Sequence, residues 1–393
     1  MKLALVHDHL NQIGGAERVL LTLTDVFPKA PIHTLLYDPR AIADFFRACD
    51  VRTSFIERLP GGRRYFKWFL PMMPTAFESF DLSPYDVVLS SSSALSKGVI
   101  SHPHQLHVCY CHTPTRYLWS DTHEYLEKLP QGRFVRTILP MLLTRLRMWD
   151  YQSAQRIDHF IANSRWVASR IKKYYGRASD VIYPPVDTRY FRVGTGEGGY
   201  YVIVSRLRPY KKVDLAIEAF NRLKLPLVIA GTGEDEPRLR TLAGPTISFR
   251  GAVSEAEKRE LLARAIAFVH PQEEDFGITP VEAMAAGRPV IAFRRGGACE
   301  TVADGVTGVF FDEQSWEGLA DAVLRFRMVK DWDPARIRRH AEQFDTSVFR
   351  ARIKSYVEER WRTFTDERSP VSRNAAIQVA LPSDRDQLVE LTP

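Results

Sequence analysis

Short apolar runs alternating with longer amphipathic stretches occur twice in this chain, once on each side of the glycine-rich run V-G-T-G-E-G-G at 193–199. In the first half the apolar runs fall at residues 2–7, 30–36, 51–56, 85–90, 106–111 and 158–163. In the second they fall at 201–205, 227–230, 247–250, 265–270 and 290–293, with helical stretches at 213–223, 236–242 and 255–264 between them. A continuous run such as K-L-A-L-V-H suits a strand buried on both faces of a parallel sheet, and parallel neighbours need crossover helices. The alternation therefore predicts an α/β chain of two doubly wound, Rossmann-like domains facing each other across a cleft. The glycine-rich run is the candidate linker. The expected division is 1–192, 193–345, a C-terminal helix at 346–365 and an aperiodic, disordered tail at 366–393.

In such sheets ligands bind off the carboxyl ends of the strands. The most informative stretch there is E-E-D-F-G-I-T-P-V-E-A-M-A-A-G at 273–287, which follows the strand A-I-A-F-V-H and feeds a helix stopped by Gly287 and Pro289. Free N–H groups at that helix start attract an anion such as a phosphate. Glu274 ends the strand and Glu282 falls in the expected first turn, so both carboxylates can face one crevice and accept from sugar or ribose hydroxyls. T-P-V-E also fits a capping box, in which Glu282 reaches back to the Thr279 amide and binds nothing else.

Other strand ends add candidates. Gly14-Gly15 opens an amphipathic helix after the first strand, where backbone can approach a ligand closely, although a glycine pair is also an ordinary turn. H-T-P-T-R-Y delivers His112 at the end of residues 106–111. S-R-L-R-P-Y-K-K places Arg206 and Lys211 after the first strand of the second half, where a guanidinium fork and an ammonium can hold a diphosphate without a metal, although a surface charge cluster has the same pattern. Gly231-Thr232-Gly233 follows the next strand. Ser164 is placed to cap the helix W-V-A-S-R-I-K-K-Y-Y.

The net charge of +7 admits nucleic acid, an anionic membrane surface or phosphorylated small molecules as partners and does not choose among them. Two basic, aromatic stretches, at 58–80 and 133–149, suit a membrane interface if exposed and a core with a solvated edge if not. Prolines in the first prevent one long helix. The four cysteines read as buried free thiols of a reducing compartment, because the C-Y-C pair is too tight for a usual zinc site. Met1 leads straight into a strand with no basic leader, and no apolar run approaches a membrane span, so the expectation is a cytoplasmic protein, peripheral at most.

Taken together, E-D-F-G-I-T-P-V-E-A-M-A-A-G-R-P-V, Gly14-Gly15, H-T-P-T-R-Y, A-N-S, Y-P-P-V-D, R-L-x-x-x-K and G-G-A-C-E-T-V resemble the retaining glycosyltransferases of family 4, which have the GT-B fold. The resemblance runs from residue 1 to about 361, and V-H-D-H-L-N-Q-I-G-G-A-E-R and Y-C-H-T-P-T-R-Y-L-W are most similar to bacterial O-antigen and exopolysaccharide mannosyltransferases that use GDP-mannose. It implies that a nucleotide sugar is held mainly by the second domain. Arg206 and Lys211 would neutralise its diphosphate, Glu282 would take both ribose hydroxyls, and Glu274 would bind the sugar, with His112 approaching from the first domain. Gly14, Gly15, Gly231, Gly233, Val253, Phe276, Gly277, Ile278 and Thr279 would complete the donor site. Asp8, Glu17, Arg116 and Tyr117 would lie on the acceptor side.

The resemblance also implies that the C-terminal helix crosses back to the first domain. It implies no cofactor and no metal, a saccharide or lipid-linked saccharide acceptor at the inner membrane face, and no nucleic acid. Front-face attack with retention is the implied route, and a double displacement through Glu274 stays open. A sugar-nucleotide epimerase on the same fold and a nucleic-acid-binding module are the competing readings. Two positions depart from the family pattern. Lys212 replaces a glycine, and Asp275 replaces a small residue, so Asp275 must point away from the diphosphate or pair with a basic group.

Overall fold

The computed structural model describes residues 1–127, 133–329 and 331–368. The first sheet is built from β1 (Leu3–His7), β2 (Ile32–Thr34), β3 (Val51–Thr53), β4 (Val87–Ser92), β5 (Leu106–Cys111), β6 (His159–Ala162) and β7 (Asp180–Val181). The second is built from β8 (Tyr201–Val204), β9 (Leu227–Ala230), β10 (Ile247–Gly251), β11 (Phe268–His270), β12 (Val290–Phe293) and β13 (Gly308–Phe311). All paired neighbours are parallel, in the orders β3-β2-β1-β4-β5-β6-β7 and β10-β9-β8-β11-β12-β13.

Each order reverses direction once, between β1 and β4 and between β8 and β11. The connections leaving those strands therefore diverge to opposite sides and open a crevice, which is where such sheets bind ligands. Register matters in the first sheet, because it sets His7 opposite Ser91 and Ser91 opposite Tyr110, one residue short of the β5 carboxyl end.

Apolar side chains fill both faces of both sheets, as continuous apolar runs require. The helix Thr346–Asp366 buries Phe349, Ile353 and Val357, a stripe at four-residue spacing, among Leu20, Leu23, Val108 and Tyr110 of the first domain. The chain thus returns to its first domain, as the resemblance implies. The expected tail lies outside the described residues from 369 onward.

The linker expectation is corrected. Gly194, Gly196 and Gly198 donate their amides to Ala286, Ala263 and Arg264, so the glycine-rich run is bonded onto the second domain. Val186 and Phe191 already pack in a second-domain cluster, whereas Ile182 packs in the first, so the passage falls at Tyr183–Pro185. Glycine permits the close backbone approach here. A Cβ on Gly194 would meet the Ala263 carbonyl oxygen at 1.8 Å.

The region 58–80 starts at the last residue of the short helix Phe55–Arg58 and continues as the 3-10 segment Phe66–Met72, which contains Pro71, and the helix Met73–Glu78, with Pro74 in its first turn, so it forms no single long helix. The second basic stretch forms the helix Arg133–Gln155, which carries Pro140 inside it. The structure packs part of these stretches and leaves part exposed. Phe66, Phe69, Leu70, Leu142 and Leu146 pack in one cluster, while Tyr65, Trp68, Met72, Met141 and Met148 are exposed. The thiols of Cys109 and Cys111 are buried, but Cys49 is half-buried and Cys299 exposed, which corrects the reading of four buried thiols.

Candidate active site

Three loops of the second domain converge at the carboxyl ends of β8, β9 and β11. After β8, Arg206 reaches across to the first domain, where Nη1 donates to Gln12 Oε1 at 3.1 Å and Nη2 to the Ile13 carbonyl at 3.0 Å. The short 3-10 turn Pro209–Lys211 turns Lys211 onto the Glu274 carboxylate. Gly231 and Gly233 shape this loop from beneath. Cβ atoms there would strike the carbonyl oxygens of Ser205 and Leu207 at 1.8 and 2.1 Å, and Gly231 has φ +128°.

Glu274 also accepts from Gln272 Nε2 at 3.2 Å. Burial alone would raise its pKa, but the Lys211 charge, His270 and the hydrogen bonds outweigh it and bring it down to about 2. Glu274 is a fully ionised carboxylate held against a lysine.

Gly277, at φ +88°, starts the helix Ile278–Ala285. That start rules out the capping box. Thr279 lies inside the helix, no side chain caps it, and Glu282 falls in the second turn rather than the first. Glu282 Oε1 instead accepts from Lys258 Nζ at 2.8 Å and from Arg18 Nη1 of the first domain at 3.3 Å. Arg18 bridges on to Glu255, and Glu255 pairs with Lys258 at 2.8 Å.

Neither Arg18 nor Lys258 is distinguishable in the sequence from any surface cation. The one available signal is that Lys258 sits three residues after Glu255 on an expected helix. Val253 lies half-buried in the loop before that helix. The Phe276 ring packs between Tyr183 and Phe344 at 5.7 and 5.5 Å and is 3% exposed, so only its backbone is available to the cleft.

The facing wall is the crevice of the first sheet. Gly14 caps the helix Gly15–Val26, and its amide donates to Glu17 Oε2 at 2.7 Å. A Cβ on Gly15 would stand 3.1 Å from Ile278 Cδ1, so the glycine pair lets the two walls meet. Asp8 is spent on its own fold. It accepts from the amides of Ser93, Ala94, Leu95 and Ser96 at 2.6–3.0 Å and from the Ser93 hydroxyl, so both its oxygens are occupied within the first domain. His112 is 8% exposed, and its Nε2 lies 2.8 Å from Ser91 Oγ. Burial, with His7 adding to it, pulls its pKa down to about 4, so the ring is neutral at pH 7.

Behind the His112 loop sits a buried network. Asp150 accepts from Thr115 Oγ1 at 2.8 Å, Trp119 Nε1 at 2.7 Å and Tyr175 OH at 2.9 Å, and pairs with buried Lys97. Tyr117 is half-buried in the same region.

Asp275 does what its charge demanded. It accepts from Arg116 Nη2 at 2.5 Å and Arg170 Nη1 at 2.8 Å, both from the first domain. Arg116 therefore ties the two domains together across the gap. A second tie joins Glu300 to the free amides of Arg165 and Trp166 at 2.8 and 2.9 Å, at the helix start that Ser164 caps as expected. Arg206, Lys211, Glu274, Glu282, Gly14 and Gly15 thus line one gap. A separate depression of about 450 Å³ beside Gly196, Tyr201 and Arg288 lies at the amino ends of the second sheet, away from all of them.

Two family models match the chain, one for each half: Glycosyltransferase Family 4 over residues 13–190 and Glycosyl transferases group 1 over residues 193–342. Among curated proteins it is similar to an alpha-1,3/1,6-mannosyltransferase of Dictyostelium discoideum, 24% identical over 78% of this chain and 85% of that one. It is also similar to a GDP-mannose-dependent alpha-(1-6)-phosphatidylinositol monomannoside mannosyltransferase of Mycobacterium tuberculosis. There the identity is 33%, over 43% of this chain and about half the length of that enzyme (52%). Among solved structures Anabaena HepE in complex with UDP superposes with a TM-score of 0.69 at 18% identity, covering 91% of this chain and 100% of that one. Nothing in these likenesses favours an epimerase or a nucleic-acid-binding module.

Proposed function

With a glycosyltransferase model over each half, the chain is a glycosyltransferase of the GT-B fold, and we propose that it transfers mannose from GDP-mannose, with retention, to a lipid-linked saccharide. The observation that carries this reading is the meeting of Arg206, Lys211, Glu274 and the start of the helix Ile278–Ala285 with Gly14-Gly15 at facing switch points. The mannosyltransferase relatives support the choice of sugar.

In this reading the diphosphate takes Lys211 away from Glu274 and joins Arg206. Glu274 is then free to accept from hydroxyls of the sugar, and Glu282, between Lys258 and Arg18, takes the ribose. As the bond from the anomeric carbon to the phosphate oxygen breaks, negative charge grows on that oxygen. Cations already in place stabilise this state more than the ground state. The acceptor hydroxyl attacks from the same face, forms the new bond to the anomeric carbon and passes its proton to the departing diphosphate. The charge is supplied by side chains, so no metal is required.

Support for a lipid-linked acceptor comes from the exposed Tyr65, Trp68, Met72, Met141 and Met148, set among Arg63, Arg64, Lys67 and Arg145. Aromatic and basic side chains together suit an anionic lipid surface. No helix among the described residues is long and apolar enough to cross a membrane.

The test is a donor panel of GDP-mannose, UDP-glucose and UDP-N-acetylglucosamine, read by thermal shift and by radiolabel transfer to lipid extracts, with and without EDTA. Selective stabilisation and EDTA-resistant transfer with GDP-mannose are expected. Transfer from a UDP-sugar alone would overturn the donor assignment.

A further inference from the structure

The first domain contains a chain of buried polar groups that ends on His112. Glu17 Oε1 lies 3.7 Å from His7 Nε2, His7 Nδ1 lies 3.2 Å from Ser91 Oγ, and Ser91 Oγ lies 2.8 Å from His112 Nε2. All four residues are at least nine-tenths buried. The parallel register of β1 with β4 sets His7 directly opposite Ser91, so the contact is fixed by the sheet.

A hydroxyl between two imidazole nitrogens has one proton, so it donates to one ring and accepts from the other. Which way it points is decided at the far end. The Glu17 carboxylate can only accept, and its charge favours a proton on the His7 nitrogen that faces it, even at 3.7 Å. His7 Nδ1 is then bare and takes the Ser91 proton. The Ser91 oxygen in turn accepts from His112 Nε2. Asp8 also acts on His112 through its charge, but its hydrogen bonds come from backbone amides and the Ser93 hydroxyl rather than from either ring.

We infer that Glu17, His7 and Ser91 are positioning residues that fix His112 as the Nε2–H tautomer, so that its Nδ1 presents a lone pair. A neutral ring in that state accepts from a sugar hydroxyl and cannot donate to a sugar carboxylate. Resting on the reading that His112 faces the transferred sugar, the relay selects a neutral hexose over a uronic acid.

The test uses the full chain labelled with 15N-histidine and long-range 15N–1H correlation spectra, with the His112 signal identified by its loss in His112→Gln. In the unaltered protein the proton is expected on Nε2. In Glu17→Gln the side-chain amide can donate to His7 Nε2, and the His112 proton is expected to move to Nδ1. Ser91→Ala cuts the relay, so Glu17→Gln should then leave the His112 tautomer unchanged. A proton on Nδ1 in the unaltered protein, or a tautomer indifferent to Glu17→Gln when Ser91 is present, overturns the inference. Turnover is read in parallel. Glu17→Gln is expected to lower kcat about tenfold alone and to add little on top of Ser91→Ala, the non-additivity expected of groups acting in series. If the tautomers respond as described while kcat does not, the relay stands and the placement of the sugar against His112 falls.

Discussion

Asp275, from the second domain, accepts from Arg116 of the first at 2.5 Å, across the gap where the donor is proposed to bind. A negative charge beside a diphosphate site is tolerable only because it is consumed in this way. Arg170, at 2.8 Å on the other oxygen, completes the neutralisation. Although burial works against the charged form, Asp275 holds the Arg116 pKa above its usual range. Asp275→Ala should therefore leave two uncompensated guanidinium groups facing each other and weaken domain closure. The expected result is a several-fold rise in donor KM and a stability loss of about 1 kcal/mol, since the ties are only partly shielded from solvent. Donor KM together with urea unfolding checks this, and an unchanged KM would separate Asp275 from closure.

Arg206→Ala and Lys211→Ala should each lower kcat by about 100- to 1000-fold, the usual cost of removing a preorganised group that stabilises charge in the transition state. Arg206 lies on an exposed cleft edge, so its removal should leave the melting temperature close to that of the unaltered protein. Arg206→Lys should rescue poorly, because an ammonium cannot reproduce the forked contacts to Gln12 and Ile13. Steady-state kinetics on purified variants of unaltered far-UV circular dichroism decide the point.

Glu282→Gln keeps a side chain of the same shape but removes the charge shared by Lys258 and Arg18. Affinity for GDP, measured calorimetrically, should fall more than about tenfold, because a charged acceptor is lost from the ribose subsite. Equal affinity would assign Glu282 to holding its two cations and nothing more.

Asp150 collects four donors in a buried place, and no other carboxylate among the described residues forms an ion pair with Lys97. Asp150→Ala should cost about 3–5 kcal/mol, since it leaves a lysine without its counter-charge. Denaturant unfolding checks the loss. Lys97→Met in the same background should recover part of it, by removing the charge left alone.

Acid should destabilise the protein from near pH 6.5 downward. Burial pulls the pKa of His33, His112 and His270 to about 4 and of His107 to about 3, against an ordinary value of 6.5. Between those limits the unfolded chain binds protons that the native state refuses, so stability is complete above pH 6.5 and declines as pH falls. Glu274 acts in the same direction, its contribution present above 4.5 and lost as pH falls through about 2. The melting temperature should be flat from pH 8 to 7 and drop steadily from 6.5 to 4. A flat profile down to pH 4.5 would contradict the burial of these rings.

Much of the architecture was legible because continuous apolar runs and glycine breaks report strands buried on both faces, and the run 106–111 coincides with β5 (Leu106–Cys111). β13 (Gly308–Phe311) was missed because G-V-F-F is too short for periodicity to register. The glycine-rich run misled for a physical reason. Glycine permits flexible linkers, but it equally permits the tight backbone contact that Gly194 makes with Ala263, and composition does not distinguish the two. Within the gap, charged residues tied to a strand end or a helix fall near where the sequence put them, as with Arg206, Lys211 and Glu274, while Glu282 lies a turn further along its helix than expected. Arg18, Lys258, Arg170 and the His7–Ser91 pair were not, because their meaning comes from partners tens to hundreds of residues away that only the two facing sheets bring close.

The chain passes between the domains twice, outward at Tyr183–Pro185 and back before Phe349, and the two passages are stitched together. The Val186 amide donates to the Phe344 carbonyl and the Thr346 amide to the Val186 carbonyl, each at 3.0 Å. Paired tethers of this kind behave like the two leaves of a door hinge. Such tethers permit rotation about the line of the stitch and resist sliding, so any closure about it would bring Arg18 to Glu282 and Arg206 to Gln12 in the same alignment.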